Sequence, residues 1–318
     1  MEMTREEFMM IRDFIHERSG IYFGENKEYL VRNRLSKRMA DLGIKTVRDY
    51  FYHVKYDVSL KEFNRLMTLV TTNETSFFRN EPQLHCFSEE VLPALIEKKL
   101  QSPASRHVKI WSAGCSTGEE PYTLAMIMLE RLKSYPGFTV EIIANDISEA
   151  VLRKARQGEY AGMTLRNVRP EFLNRYFTKL GDSYRVKPEV KALVKFSHMN
   201  LNEPRKSYVI SAADAIFCRN VMIYFSDGVR KQLVRGFYNA LNPGGYFFIG
   251  HSETLHGISK AFKLVYLKNA LVYQKEVAGV AGQPRKTTPP QEILACASGG
   301  AQRALDLLSK IKPVTART

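Results

Sequence analysis

Residues 108–121, VKIWSAGCSTGEEP, constrain the chain more than any other stretch. Val108-Lys109-Ile110-Trp111 reads as a short apolar strand, Ser112 to Gly118 as a loop of small residues, and Glu119-Glu120-Pro121 as the opening of a helix that continues through Leu129. The free N–H groups of a first helical turn favour negative charge, and proline has no N–H to leave unpaired. Strand, glycine loop and helix in this order hold nucleotide-like ligands at the carboxyl end of a strand.

The remainder of the chain repeats the alternation. Apolar runs at 139–144, 213–218, 246–250, 262–266 and 270–274 read as strands, with helices predicted over 149–157, 169–180 and 227–241. Segment 183–196 contains two runs of partial strand character separated by Lys187-Pro188. Strands alternating with helices imply an α/β fold, a doubly wound and mostly parallel sheet with helices on both faces.

Residues 1–70 differ: they read as all-helical. Thr4 and Glu7 form a capping box ahead of an apolar face of Phe8, Ile11, Phe14 and Ile15. A second helix, 27–42, buries Val31, Leu35, Met39 and Leu42, with Arg34 and Lys37 pointing away and Arg32 and Arg38 on the flanks. That basic face is either a solvated surface or a dock for an acidic helix. Two more helices are predicted at 47–56 and 60–70. Residues 71–81 then form a linker, TTNETSFFRN and Glu81, anchored by Phe77-Phe78, and helix resumes over 82–99. Beyond Glu276 the composition turns to Gly, Pro and Thr, a flexible linker ahead of one amphipathic helix at 291–311.

The chain has 318 residues, 44% of them hydrophobic, enough for one large domain and a smaller companion. No apolar run approaches the roughly 20 residues of a membrane-spanning helix, and Met1 to Arg12 lacks the apolar core of a signal peptide. A cytoplasmic location is expected. Cys86, Cys115, Cys218 and Cys296 have neither metal-site nor disulfide spacing, so reduced thiols are expected and no metal. The net charge of +14 implies an acidic partner without choosing among nucleic acid, membrane and protein.

The ligand can be narrowed. Gly114 and Gly118 do not complete the GxGxxG of a dinucleotide site, and Glu119 stands where a phosphate would be repelled. A carboxylate there suits a cationic ligand. S-adenosylmethionine carries a sulfonium and an ammonium and no phosphate. Asp146, after the second strand, stands where ribose hydroxyls are held in such folds, although capping the next helix is its simpler role.

Five ordered motifs make the reading specific: TTNETSFFRN (71–80), WSAGCSTGEEPYTLAM (111–126), ANDIS (144–148), FCRNVMIYF (217–225) and GGYFFIGHSE (244–253). Over residues 5–275 the chain resembles the chemoreceptor glutamate methyltransferases of bacterial chemotaxis, the CheR family. The resemblance implies a helical domain (1–70), a cofactor-contacting linker (71–81), and a class I S-adenosylmethionine-dependent methyltransferase domain (82–275). A small antiparallel β-subdomain would be inserted at about 178–197, and 276–318 would be the linker and tail helix. It implies cofactor contacts from Asn73, Thr75, Arg79, Gly114, Glu119, Asp146, Asn200, Leu201, Arg219 and Asn220. The product would be S-adenosylhomocysteine beside a γ-glutamyl methyl ester. A glutamate, with pKa near 4.3, is already ionised at neutral pH, so no general base is needed. Tyr224 would orient the acceptor, unless it is a packed aromatic beside Phe225.

Some members of the family dock on a receptor pentapeptide through a Gly-rich loop. The matching loop here, Lys179-Leu180-Gly181-Asp182-Ser183, is short, which implies independence from such a tether. The basic helix would then meet the methylation helices of the receptor through Arg32, Arg34, Lys37 and Arg38. The expected enzyme is a monomer that neither binds nucleic acid nor inserts in a membrane. Two other readings are a nucleic-acid methyltransferase, which lacks an aromatic-interleaved basic patch, and a non-catalytic donor-binding sensor or scaffold.

Overall fold

The computed structural model describes residues 3–101, 106–203 and 210–277. The expected tail helix at 291–311 lies outside the described residues.

The first four helices are α1 (Arg5–Ser19), α2 (Glu28–Leu42), α3 (Val47–Lys55) and α4 (Lys61–Val70). Thr4 caps α1: its hydroxyl accepts from the Glu7 N–H, and the Glu7 carboxylate accepts from the Thr4 N–H. Phe8, Ile11, Val31, Leu35, Tyr50 and Leu66 close a core of their own. Tyr50 and Glu62 are buried in it, and they are satisfied: Glu62 accepts from Arg38 Nε at 2.9 Å, from Arg38 Nη2 at 2.5 Å and from the Tyr50 hydroxyl at 3.0 Å. Burial raises the Glu62 pKa, but these bonds outweigh it and leave the carboxyl below its ordinary range.

Residues 71–80 form the non-helical linker, followed by α5 (Glu81–Cys86), a π-helical turn over 87–91, and α6 (Leu92–Leu100). Phe77 is fully buried, edge-on to Tyr160 at 4.8 Å and to Phe177 at 5.2 Å. It is the hydrophobic anchor expected of the linker.

The large sheet contains β1 (His107–Ala113), β2 (Thr139–Asp146), β6 (Val194–His198), β7 (Ala213–Cys218), β8 (Leu241–Ile249), β9 (Phe262–Tyr266) and β10 (Leu271–Lys275). Its order is β6-β2-β1-β7-β8-β10-β9. The first five strands run parallel and β10 pairs antiparallel with both β8 and β9. Helices α7 (Glu119–Leu132), α8 (Glu149–Gln157) and α11 (Asp227–Ala240) connect the strands. The chain winds outward from β1 in one direction and from β7 in the other. Between those two strands lies the switch point, where open α/β sheets bind ligands. Trp111, Phe217, Phe247 and Phe248 are fully buried, and Phe217 stacks on Phe248 at 4.3 Å. Each such side chain contributes roughly 1.5–3 kcal/mol relative to exposure.

A second sheet is small and antiparallel, in the order β3-β5-β4, from β3 (Glu159–Tyr160), β4 (Phe177–Leu180) and β5 (Ser183–Val186). Here the structure corrects two expectations. The helix expected over 169–180 stops as α9 (Pro170–Tyr176), and Phe177 to Leu180 become a strand paired with 183–186. The run at 194–196 is not its hairpin partner, because β6 joins the large sheet beside β2. The small sheet therefore spans 159–186 rather than 178–197, with the short helix α10 (Pro188–Lys191) leading out of it. Pairing between distant segments overrides local helical preference at such a place. A third difference is at β8, which begins at Leu241: it pairs with Ala213, bulges through Asn242-Pro243-Gly244-Gly245, and resumes at Tyr246 opposite Ala215.

Candidate active site

A cavity of about 280 Å³ opens at the carboxyl ends of β1, β2 and β7. Its wall takes Ser19 and Ile21 from the helical domain, 71–76 and Arg79 from the linker, and 114–116 from the glycine loop. Leu84 comes from α5, Glu120 and Thr123 from α7, Asp146 and Ile147 from the end of β2, and the rest from 199–201 and 219–225, Met222 excepted.

The loop after β1 is shaped by backbone bonds. The N–H groups of Gly114 and Cys115 both donate to the Asn145 carbonyl at 2.9 Å. Gly114 has φ of 74°, and a Cβ there would lie 2.6 Å from a Val221 methyl, so glycine is required for the loop to meet the 219–225 segment. Asp146 takes the Ser116 N–H on one oxygen and the Ser148 N–H on the other, each at 2.9 Å. The carboxylate thus braces both loops and still faces the cavity.

Of the ten residues expected to touch a cofactor, nine line this one cavity: Asn73, Thr75, Arg79, Gly114, Asp146, Asn200, Leu201, Arg219 and Asn220. Glu119 does not. It is 1% exposed, accepts from the Thr117 hydroxyl on both oxygens, and lies outside the wall. The cavity residue is its neighbour, Glu120. Successive helical residues diverge by roughly 100°, so only one of the pair can face inward. Glu120 accepts from the Ser112 hydroxyl at 2.7 Å and stands 3.4 Å from Arg219 Nη1.

The electrostatics are those of a loosely matched pair. Burial pushes the Glu120 carboxyl above its ordinary range, against the pull of Arg219. Burial also raises Asp146, against the N–H groups of Ser148 and Ser116, and lowers Arg219, against Glu120. Two buried polar atoms of wall residues have no hydrogen-bond partner among the described residues, Arg219 Nε and Ser76 Oγ. Orphaned buried donors ask for an explanation, and a ligand is one. The set fits S-adenosylmethionine: carboxylates for its cationic end and ribose hydroxyls, and Arg219 and Arg79 for its carboxylate. The sequence reading missed Glu120 and Ser76. Only the helical phase of Glu119-Glu120 could have found the first, and nothing in TTNETSFFRN singles out the second.

Tyr224 lines the cavity from a short turn, Met222–Tyr224, held against the helical domain. Its carbonyl accepts from the Tyr22 N–H at 2.8 Å, and Phe225 bridges to Ile21.

The four basic residues of α2 do not act as one surface. Arg38 is committed to Glu62. Arg34 donates to the Val70 carbonyl at 2.5 Å and reaches Thr72 Oγ1 at 3.5 Å, so it ties α2 to the linker. Burial lowers its pKa below the ordinary arginine value. Lys37 is exposed and Arg32 half-buried. The picture of Arg34 and Lys37 as one outward face is therefore corrected. A helix packed on two sides leaves only part of its circumference to solvent.

Comparison with known proteins covers both parts of the chain. Residues 6–71 match the CheR methyltransferase all-alpha domain and residues 73–271 the CheR methyltransferase SAM binding domain. The chain is 35% identical over 278 residues to "Chemotaxis protein methyltransferase 2" of Vibrio cholerae, covering 87% of this chain and 95% of that protein. It is also 35% identical to "Chemotaxis protein methyltransferase 1" of Pseudomonas aeruginosa, covering 86% and 99% of the two chains. The Escherichia coli "Chemotaxis protein methyltransferase" is 35% identical over 83% of this chain and 90% of its own. With both domains matched in order, and relatives 35% identical over most of the chain, the chain belongs to the CheR family, the S-adenosylmethionine-dependent chemotaxis protein methyltransferases.

Proposed function

We propose that the enzyme esterifies glutamate side chains on the cytoplasmic helices of chemoreceptors. The observation that carries this is what the cavity wall lacks. Among the described residues it contains no histidine, its one thiol, Cys115, is pushed well above its ordinary pKa by burial, Glu120 and Asp146 already accept hydrogen bonds, and the third carboxylate, Glu74, is exposed. Such a wall offers neither a histidine nor a ready thiolate to activate an alcohol or amine. An acceptor that arrives ionised needs neither, and a glutamate side chain is such an acceptor. S-adenosylmethionine, when bound, supplies an electrophilic methyl group. The chain's own residues then align and desolvate the two partners. Glu120 faces the donor's positive end and Asp146 its ribose hydroxyls, Asn73, Thr75, Asn200, Leu201 and Asn220 complete its wall, and Arg79 and Arg219 hold its carboxylate. Tyr224, at the edge facing the helical domain, orients the acceptor. Lys37 and Arg32 meet the acidic receptor helix.

Incubation with methyl-labelled donor and receptor-containing membranes tests the reaction. The label is expected in base-labile esters that release methanol and map to glutamates. Base-stable label, or label on nucleic acid, overturns the reading, and donor binding without turnover supports a sensor instead. We also propose independence from a receptor pentapeptide, supported by the tight turn at Gly181-Asp182, where Leu180 pairs directly with Ser183. Micromolar binding of such a peptide in calorimetry would overturn that second point.

A further inference from the structure

The segment after β7, Arg219 to Phe225, contributes most of one cavity wall, and its shape is not one the residues adopt unaided. Asn220 has φ of 59°, in the left-handed region that non-glycine residues seldom occupy. Such a conformation persists only where the surroundings enforce it. Three backbone N–H groups around it converge on a single carboxylate, that of Glu253. One Glu253 oxygen accepts from the Gly250 N–H at 2.6 Å and from the Asn220 N–H at 2.8 Å, and the other accepts from the Ile223 N–H at 3.2 Å. Glu253 lies in the loop after β8, outside the cavity wall. One side chain therefore fastens the loop of one strand to the loop of the next.

The fit is close on the far side as well. A Cβ at Gly250 would lie 2.7 Å from the Glu253 carboxylate and 2.9 Å from the Asn220 nitrogen. Glycine at 250 is what lets the carboxylate reach Asn220. Two residues of the clamped segment, Asn220 and Tyr224, the latter one residue past Ile223, line the cavity; under the proposed function Asn220 meets the donor and Tyr224 the acceptor.

We propose that Glu253 is a positioning residue for methyl transfer: its carboxylate fixes the backbone of 220–223 and thereby the place of Asn220 and Tyr224. The proposal rests on the roles proposed for those two residues in binding donor and acceptor. An ionised carboxylate can accept on both oxygens, whereas an amide offers one acceptor and an NH2 that faces an N–H. Misplacing catalytic groups by about 1 Å costs up to about a hundredfold in rate.

The test compares Glu253→Gln, Gly250→Ala, the double variant, Tyr224→Phe and the unmodified enzyme. Turnover per folded molecule, affinity for S-adenosylhomocysteine and thermal midpoint are measured for each. Both Glu253→Gln and Gly250→Ala are expected to lower turnover at least about tenfold while remaining folded. The double variant is expected to be no worse than the weaker single, because both act through one contact. Normal turnover per folded molecule in Glu253→Gln overturns the proposal, even if the thermal midpoint drops, since that is a purely structural role. Losses that add in the double variant overturn it too. If Tyr224→Phe and Glu253→Gln are both fully active, the reading of the acceptor side fails. If only Glu253→Gln is active, that reading stands and the positioning role alone fails. Should Glu253→Gln not fold, Gly250→Ala addresses the same contact from the other loop.

Discussion

Two buried carboxylate–arginine pairs sit a few elements apart and behave oppositely. In the helical domain Glu62 receives a two-pronged contact from Arg38 and a third bond from Tyr50, and its pKa ends below the ordinary range. In the cavity Glu120 meets Arg219 through one contact at 3.4 Å, its pKa ends above the ordinary range, and Arg219 keeps an Nε without a partner among the described residues. The first pair is complete without any other molecule. The second is not: Arg219 Nε is left for a partner beyond the described residues, and under the proposed function that partner is the zwitterionic donor. A closed pair holds a domain together, and an open pair leaves room for a ligand.

The largest effect should come from opening the closed pair. Arg38→Ala leaves Glu62 buried without its countercharge and is expected to lower unfolding free energy by about 3–5 kcal/mol. Donor affinity of the folded fraction should stay within about twofold. Denaturant titration and calorimetry read the two quantities, and a drop in affinity without a drop in stability would break the comparison. Next, Glu120→Gln should weaken donor binding by about tenfold to a hundredfold, the worth of a charge-assisted hydrogen bond. The ligand-free protein should lose less stability than Arg38→Ala does, because the amide keeps an acceptor for Ser112 and Arg219 and the pair it replaces is loose. A stability loss as large as that of Arg38→Ala would make Glu120 a second structural pair.

The smallest effect is that of pH, and its sign separates the pairs. Glu62 has a depressed pKa, so its stabilising contribution is present above the ordinary carboxylate value and is lost only as pH falls through its lower folded value. Glu120 and Asp146 have raised values, so they protonate first as pH falls. Protonation of these two favours the folded state, because it relieves burial, while it weakens attraction for a cation. As pH falls from neutral toward the ordinary carboxylate range, donor affinity is expected to fall while unfolding stability holds or rises. The reverse order would show that the cavity carboxylates are not what the donor meets.

Much of this was legible in the chain. VKIWSAGCSTGEEP announces its own strand, turn and helix because each has local chemistry: apolar residues, glycine, then acid and proline. Thr4 with Glu7 marks a helix start for the same reason, whereas α8 is capped by Ser148 and not by Asp146, the candidate the sequence offered. What was not legible depends on partners distant in sequence. Phe177 to Leu180 is a strand only because 183–186 lies beside it. Arg34 looked outward until the end of α4 packed back to place the Val70 carbonyl against it. The exchange of Glu119 for Glu120 turned on helix phase, which a motif match does not contain. Glu253 was hidden because its partners are backbone N–H groups, which every sequence has and none displays.

The bridge between Ile21 and Phe225 joins the first-made domain to the last-made wall of the cavity. The helical domain can fold early, since its core is drawn from contiguous sequence. The cavity cannot, because its walls come from segments spread from Ser19 to Phe225, and β1 waits for β7 as its neighbour. Long-range parallel pairing is slow to form. A chain emerging from the ribosome therefore exposes the glycine loop and the linker long before it can bind a donor. Competence arrives late and all at once, when the last wall swings in to meet a domain that has been folded from the start.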